Sequence, residues 1–98
     1  MEKNLYSMKG KVCLITGGST GLGSYIAHGF LAAGASRVYI TARSKDNLVK
    51  KMNELKKISV GDCIAIKSDL SSLDGVQKLV SEIRAREQHI DVLVNNAG

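Results

Sequence analysis

Short apolar runs and amphipathic stretches take turns along this chain. KVCLIT at 11–16 is apolar through its middle and runs into glycines, which predicts a strand buried on both faces. From Leu22 to Ala33 the residues Leu22, Ile26, Phe30 and Ala33 share one helical face, and Gly34 follows where a helix ends in left-handed geometry. RVYITA at 37–42 is strand again. The next stretch sets Leu48, Met52 and Leu55 on a dry helical side and Lys45, Lys50, Lys51, Lys56 and Lys57 on a wet one, with Ser44 placed to cap it. After the turn signal Gly61-Asp62 comes a third strand, CIAIKSD at 63–69. Ser71-Ser72-Leu73-Asp74 has a serine with an acid three residues on, a capping-box pattern with Asp in place of Glu or Gln. Val76, Leu79, Val80 and Ile83 supply another helical stripe, and DVLV at 91–94 is the fourth strand.

The strands begin near residues 12, 38, 63 and 91, a βα rhythm that implies parallel pairing through crossover helices. The expected order is 3-2-1-4, in which right-handed crossovers put the first two helices on one face and, once the direction reverses, the third on the other. That second face is then nearly bare, and the fourth strand is an edge of Val92, Leu93 and Val94 without a guarding Pro or Lys. The units share no sequence pattern beyond the alternation, which excludes a solenoid. Proline is absent, as suits a chain of helix and buried strand.

A chain of 98 residues is one domain at most, well short of the roughly 250 of many α/β enzymes. Its 44% apolar and 23% charged residues exclude a disordered class. No apolar run approaches a membrane span, and MEKNLYSMKGK is too charged for a signal peptide, so the expected compartment is the cytoplasm. The net charge of +5 raises the question of nucleic acid or an anionic membrane. The lysines are spread over a solvated helix face without interleaved aromatic residues, and neither partner is expected. Cys13 and Cys63 lie inside apolar runs and read as buried, reduced thiols. His28 and His89 have no Cys or acidic partner at ligand spacing, which leaves them structural roles and the chain without a metal site.

The chemistry concentrates in TGGSTGLG at 16–23, between the first strand and first helix. Glycines there let the backbone turn sharply and approach a ligand, while the helix N-terminus offers unpaired N–H groups to a pyrophosphate. A P-loop would need Lys and Ser or Thr after Gly23, where Ser24 and Tyr25 stand. The GxGxxG dinucleotide fingerprint is also missing, because the glycines fall at Gly17, Gly21 and Gly23. Gly29 and Gly34 read instead as helix packing and cap.

TGxxxGxG after the first strand, SDL at the end of the third and NNAG at the end of the fourth resemble the classical short-chain dehydrogenase/reductase family, over residues 9–98. The resemblance implies an α/β fold, a Rossmann-type parallel sheet that is incomplete at four strands and three helices, with 1–98 a partial NAD(P)-binding domain. It implies a nicotinamide dinucleotide held by Gly17, Ser19, Thr20, Gly21, Leu22 and Gly23 of the loop, and by Arg43 and Ser44 beyond the second strand. Asp69 would accept from the adenine amino group, the Leu70 backbone would frame the ring, and Asn96, Ala97 and Gly98 would line the adenosine ribose, with Asn95 bracing the sheet. Asp69 also reads as the start of a turn, as aspartates after strands often are. Ala42 stands where NAD-using members carry Asp, and Arg43 follows it, which favours NADP(H) over NAD(H). The other reading of Arg43 is a solvated charge at a strand end.

Family enzymes move hydride between nicotinamide and a carbonyl or alcohol carbon, using a tyrosine, the lysine of YxxxK, a serine and an asparagine. Tyr6, Tyr25 and Tyr39 are followed four residues later by Gly10, Gly29 and Arg43, so none begins YxxxK, and no catalytic residue carries over. The catalytic segments are expected beyond residue 98, and the chain alone is not expected to turn over. Two readings stand: the N-terminal part of an NADP(H)-dependent oxidoreductase acting on a small carbonyl or alcohol, or a nucleotide-binding or interaction module without catalysis. MKGKVCLITGGSTGLG with TARS leans toward reductases of acyl or small carbonyl compounds. Oligomers are compatible with the resemblance, since family members commonly pair through later helices.

Overall fold

The computed structural model describes residues 7–19, 21–58 and 61–96. Its elements are β1 (Val12–Thr16), α1 (Gly21–Ala32), β2 (Arg37–Ala42), α2 (Lys45–Leu55), β3 (Asp62–Lys67), α3 (Leu73–Arg86) and β4 (Val92–Asn95). The strands form one parallel sheet in the order β3-β2-β1-β4, the order expected from the sequence. Ile15 pairs with Ile40 on one side and Val94 on the other. Strand β3 stops at Lys67, short of the predicted end at Asp69, although Ser68 N still donates to Ala42 O at 3.0 Å.

Each sheet face has its own core. Cys13, Ile15, Val38, Ile40 and Cys63 meet Ala27 and Leu31 of α1 and Leu48 and Leu55 of α2. On the opposite face Val12, Tyr39 and Ile66 meet Leu79 and Ile83 of α3. One helix cannot cover that face, so Val76, Val80 and Leu93 stay 38%, 46% and 64% exposed.

The buried side of α1 differs from the one the large residues suggest. Gly23, Ser24, Ala27 and Leu31 are buried, whereas Leu22 is 65% exposed and Ile26 and Phe30 flank the core. Small side chains let this helix approach the sheet closely, and the bulky ones are pushed to its margins. Gly29 is exposed with nothing within 4 Å of where a Cβ would sit, so it has no packing role. Gly34 does end the helix in left-handed geometry, at φ +102°, with its N–H donating to Leu31 O.

The helix starts also need adjustment. Ser44 occupies the N-cap position of α2 with extended backbone, but its side chain makes no capping bond. For α3 the cap is Ser72, whose Oγ accepts from Gly75 N at 3.1 Å. Ser71 is taken by Asp69, and Asp74 pairs with Lys78, so the predicted box from Ser71 to Asp74 does not close.

Beyond α3, Glu87 accepts from Arg37 Nε at 2.5 Å, Arg37 Nη2 at 2.7 Å and Tyr39 Oη at 2.6 Å, fastening the helix end to β2. The Arg37 guanidinium holds the Glu87 carboxyl below the usual range, and burial with the Glu87 bond pushes the Tyr39 phenol up to about 12. Cys13 and Cys63 are buried free thiols, raised by desolvation to about 11 and about 12. His28 is exposed, and His89 Nε2 lies 3.4 Å from Asp91 Oδ1, a partner that ligand spacing did not suggest. Among the described residues no group of three or more His, Cys, Asp or Glu is placed to hold a metal ion, and no helix is long and apolar enough to cross a membrane.

Candidate functional site

The order β3-β2-β1-β4 reverses direction at β1, and the carboxyl ends of β1, β2 and β4 converge there. Thr16, the last residue of β1, is 5% exposed, and its hydroxyl joins the strand ends. Oγ1 donates to Asn95 Oδ1 at 3.1 Å and accepts from Asn96 N at 3.0 Å. Asn96 Nδ2 reaches Gly17 O at 3.4 Å. Nothing in the pattern of apolar positions points to Thr16, which reads there as one more strand residue.

The turn after β1 is held from two sides. Gly17 N and Gly18 N both donate to Thr41 O, at 2.9 and 3.1 Å, tying the turn to β2. Gly17 and Gly21 have φ of +73° and +58°, left-handed values that favour glycine. At Gly18 a Cβ would stand 2.5 Å from Ile40 Cγ2, so this glycine is required by close contact with β2. A Cβ on Gly23 would run into Gly17 O and stand 2.7 Å from Asn96 Nδ2. Glycine is therefore required where the turn packs against β2 and where α1 packs against the turn, and the first turn of α1 carries no acidic side chain to compete with an anion for its amides.

A cavity of about 340 Å³ opens beside this turn, lined by Gly17, Ala42, Arg43, Asp69 and Leu70 among others. Arg43 is exposed and follows β2 directly. Asp69 Oδ1 accepts from Ser71 N at 3.0 Å and Ser71 Oγ at 2.6 Å, bonds that hold its carboxyl below the usual range, with Arg43 adding a smaller pull. The turn-forming reading of Asp69 is therefore correct, and it still leaves the residue at the cavity wall.

Of the predicted site residues, the structure thus brings Gly17, Arg43, Asp69 and Leu70 around one cavity. Ser19 lines a neighbouring one, Gly21 opens α1, and Gly23 and Asn96 brace the turn from behind. Leu22 points outward and Ser44 does not line the cavity. Thr20, Ala97 and Gly98 lie outside the described residues.

Residues 11–98 match the family described as short chain dehydrogenase. The chain belongs to this family. It is 43% identical over 93 residues, 95% of its length, to the rhamnolipids biosynthesis 3-oxoacyl-[acyl-carrier-protein] reductase of Pseudomonas aeruginosa, and spans 35% of that protein. Among solved structures it is similar to the Pseudomonas aeruginosa RhlG/NADP active-site complex, with a TM-score of 0.89 at 42% identity, covering 95% of this chain and 36% of that one. L-sorbose reductase from Gluconobacter frateurii, complexed with NADPH and L-sorbose, gives a TM-score of 0.88 at 35% identity, covering 95% of this chain and 35% of that one. This short-chain dehydrogenase sequence thus spans about a third of the length of these relatives.

Proposed function

We propose that this chain binds NADP(H) in preference to NAD(H), as the cofactor-holding part of an oxidoreductase that moves hydride between NADP(H) and a small carbonyl or alcohol. One observation carries the reading: the cavity at the switch point has bare glycine backbone on one wall and, on another, an arginine directly after β2 with no acid beside it on that strand. An acid there would take the ribose hydroxyl of NAD, whereas a guanidinium suits the 2′-phosphate. Two relatives solved with NADP or NADPH support the choice.

In this reading the residues divide the work by chemistry. The amides of the turn from Gly17 to Gly23 face the diphosphate, aided by the partial positive charge of the α1 N-terminus. Arg43 pairs with the 2′-phosphate, Ala42 and Leu70 flank the adenine, and Asp69 accepts from its amino group. Asn96, through Gly17 O, keeps the turn in shape. The bound nicotinamide supplies the hydride, or takes it up; the chain's own contribution is to hold and orient it.

A calorimetric titration with NADPH and NADH tests this. A charge-assisted hydrogen bond contributes about 1.5–3 kcal/mol, so NADPH is expected to bind roughly ten- to a hundredfold tighter. Arg43→Ala should erase most of that gap and leave NADH binding in place. An unchanged NADPH to NADH ratio in the variant would refute the assignment.

A further inference from the structure

A second, smaller cavity of about 240 Å³ lies between the glycine turn and α2, lined by Ser19, Asn47, Lys50, Lys51 and Glu54. The α2 members fall at i, i+3, i+4 and i+7, one stripe beside the Leu48 and Leu55 that enter the core. Within it Lys51 Nζ donates to Glu54 Oε1 at 3.0 Å, and the two charges offset each other. Lys50 has no ion-pair partner among the described residues, so the stripe keeps one uncompensated positive charge. Facing it is Ser19, two residues along the same turn from the Gly17 that lines the cavity holding Arg43.

We infer that Lys50 is a second cation for the 2′-phosphate of NADP(H), acting together with Arg43. The inference rests on the dinucleotide reading above and adds a specificity-determining residue to it. Charge count favours it: a phosphate monoester carries about −1.5 to −2 near neutral pH, and Arg43 alone supplies one positive charge. An ammonium on a four-carbon stem acts as a point charge and needs no fixed fork geometry, so it suits a place on an exposed helix.

The test titrates the chain with NADPH, NADH and adenosine 2′,5′-bisphosphate at low and high salt. Lys50→Gln should weaken NADPH and the bisphosphate by about three- to tenfold, less at high salt, and leave NADH unchanged. Lys50→Arg should retain most of the affinity. Glu54→Gln, which releases Lys51, should tighten NADPH and not NADH. If Lys50→Gln leaves NADPH untouched while the parent chain still separates NADPH from NADH, Lys50 has no such role and the dinucleotide reading survives. Equal losses for both dinucleotides would also overturn the role of Lys50, and a parent chain that binds neither would overturn both.

Discussion

Two glycines on α1 make a matched pair, one pressed against the glycine turn and one facing solvent. At Gly23 an added Cβ runs into the Gly17 carbonyl oxygen and stands 2.7 Å from Asn96 Nδ2. Neither neighbour yields easily, because Gly17 N is bonded to Thr41 O and Asn96 N to Thr16 Oγ1. Overpacking of this kind costs about 1–3 kcal/mol, and losing the Asn96 to Gly17 bond adds about 0.5–1.5 kcal/mol. Alanine's helix preference returns about 1 kcal/mol, which leaves Gly23→Ala destabilised by about 0.5–3.5 kcal/mol. At Gly29 nothing lies within 4 Å, so only the helix preference acts, and Gly29→Ala should gain about 0.5–1 kcal/mol. For a domain of this size 1 kcal/mol moves the melting temperature by about 4–8 °C. Thermal melts followed by circular dichroism should show Gly23→Ala lower by about 2–28 °C and Gly29→Ala higher by about 2–8 °C. NADPH affinity should fall in the first and hold in the second. A Gly23→Ala chain as stable as its parent, or both variants shifting in one direction, would refute the close approach of α1 to the turn.

Glu87→Gln replaces a carboxylate that is 6% exposed and accepts from Arg37 and Tyr39. Bonds to charged groups contribute about 1.5–3 kcal/mol, less here because the Arg37 side chain is 43% exposed, so a loss of about 1–2 kcal/mol at neutral pH is expected from urea unfolding. Because folding depresses this pKa, the contribution is complete above the ordinary value of 4.5 and is lost as the pH falls through the lower folded value. The gap between parent and variant should therefore close in acid, and a gap that persists undiminished below about pH 3 would contradict the pairing. Cys13 and Cys63, buried and raised to about 11 and about 12, should resist a thiol reagent at mildly alkaline pH until the chain unfolds. Rapid labelling of the native chain would contradict their burial.

Much of the fold was legible because its signals are local. Apolar runs such as VYIT cannot be solvated on either side, and the spacing of the strands leaves helical crossovers between parallel strands as the way to join them; the order β3-β2-β1-β4 is that of a doubly wound sheet. The lysine-rich helix likewise announces Leu48 and Leu55 as its buried residues. Periodicity failed on α1 because it weighs side chains by size, whereas closeness to the sheet selected Gly23, Ser24 and Ala27. It failed between Ser71 and Ser72 because either serine fits a cap, and the choice turned on Asp69 occupying Ser71. The Glu87 clamp joins residues 48 and 50 positions apart, and the Thr16 contacts to Asn95 and Asn96 span 79 and 80. Neither leaves a mark in any short window of sequence. At the candidate site the glycine spacing and Arg43 were visible, but the contact of Gly18 with Ile40 depends on a neighbouring strand.

The most direct measurement is a crystal structure of the chain grown with NADPH. The expected result places the diphosphate oxygens about 2.7–3.2 Å from amides of the turn between Gly17 and Gly23, with the 2′-phosphate against the Arg43 guanidinium. A dinucleotide bound elsewhere, or one whose 2′-phosphate lies in solvent away from Arg43, would contradict it.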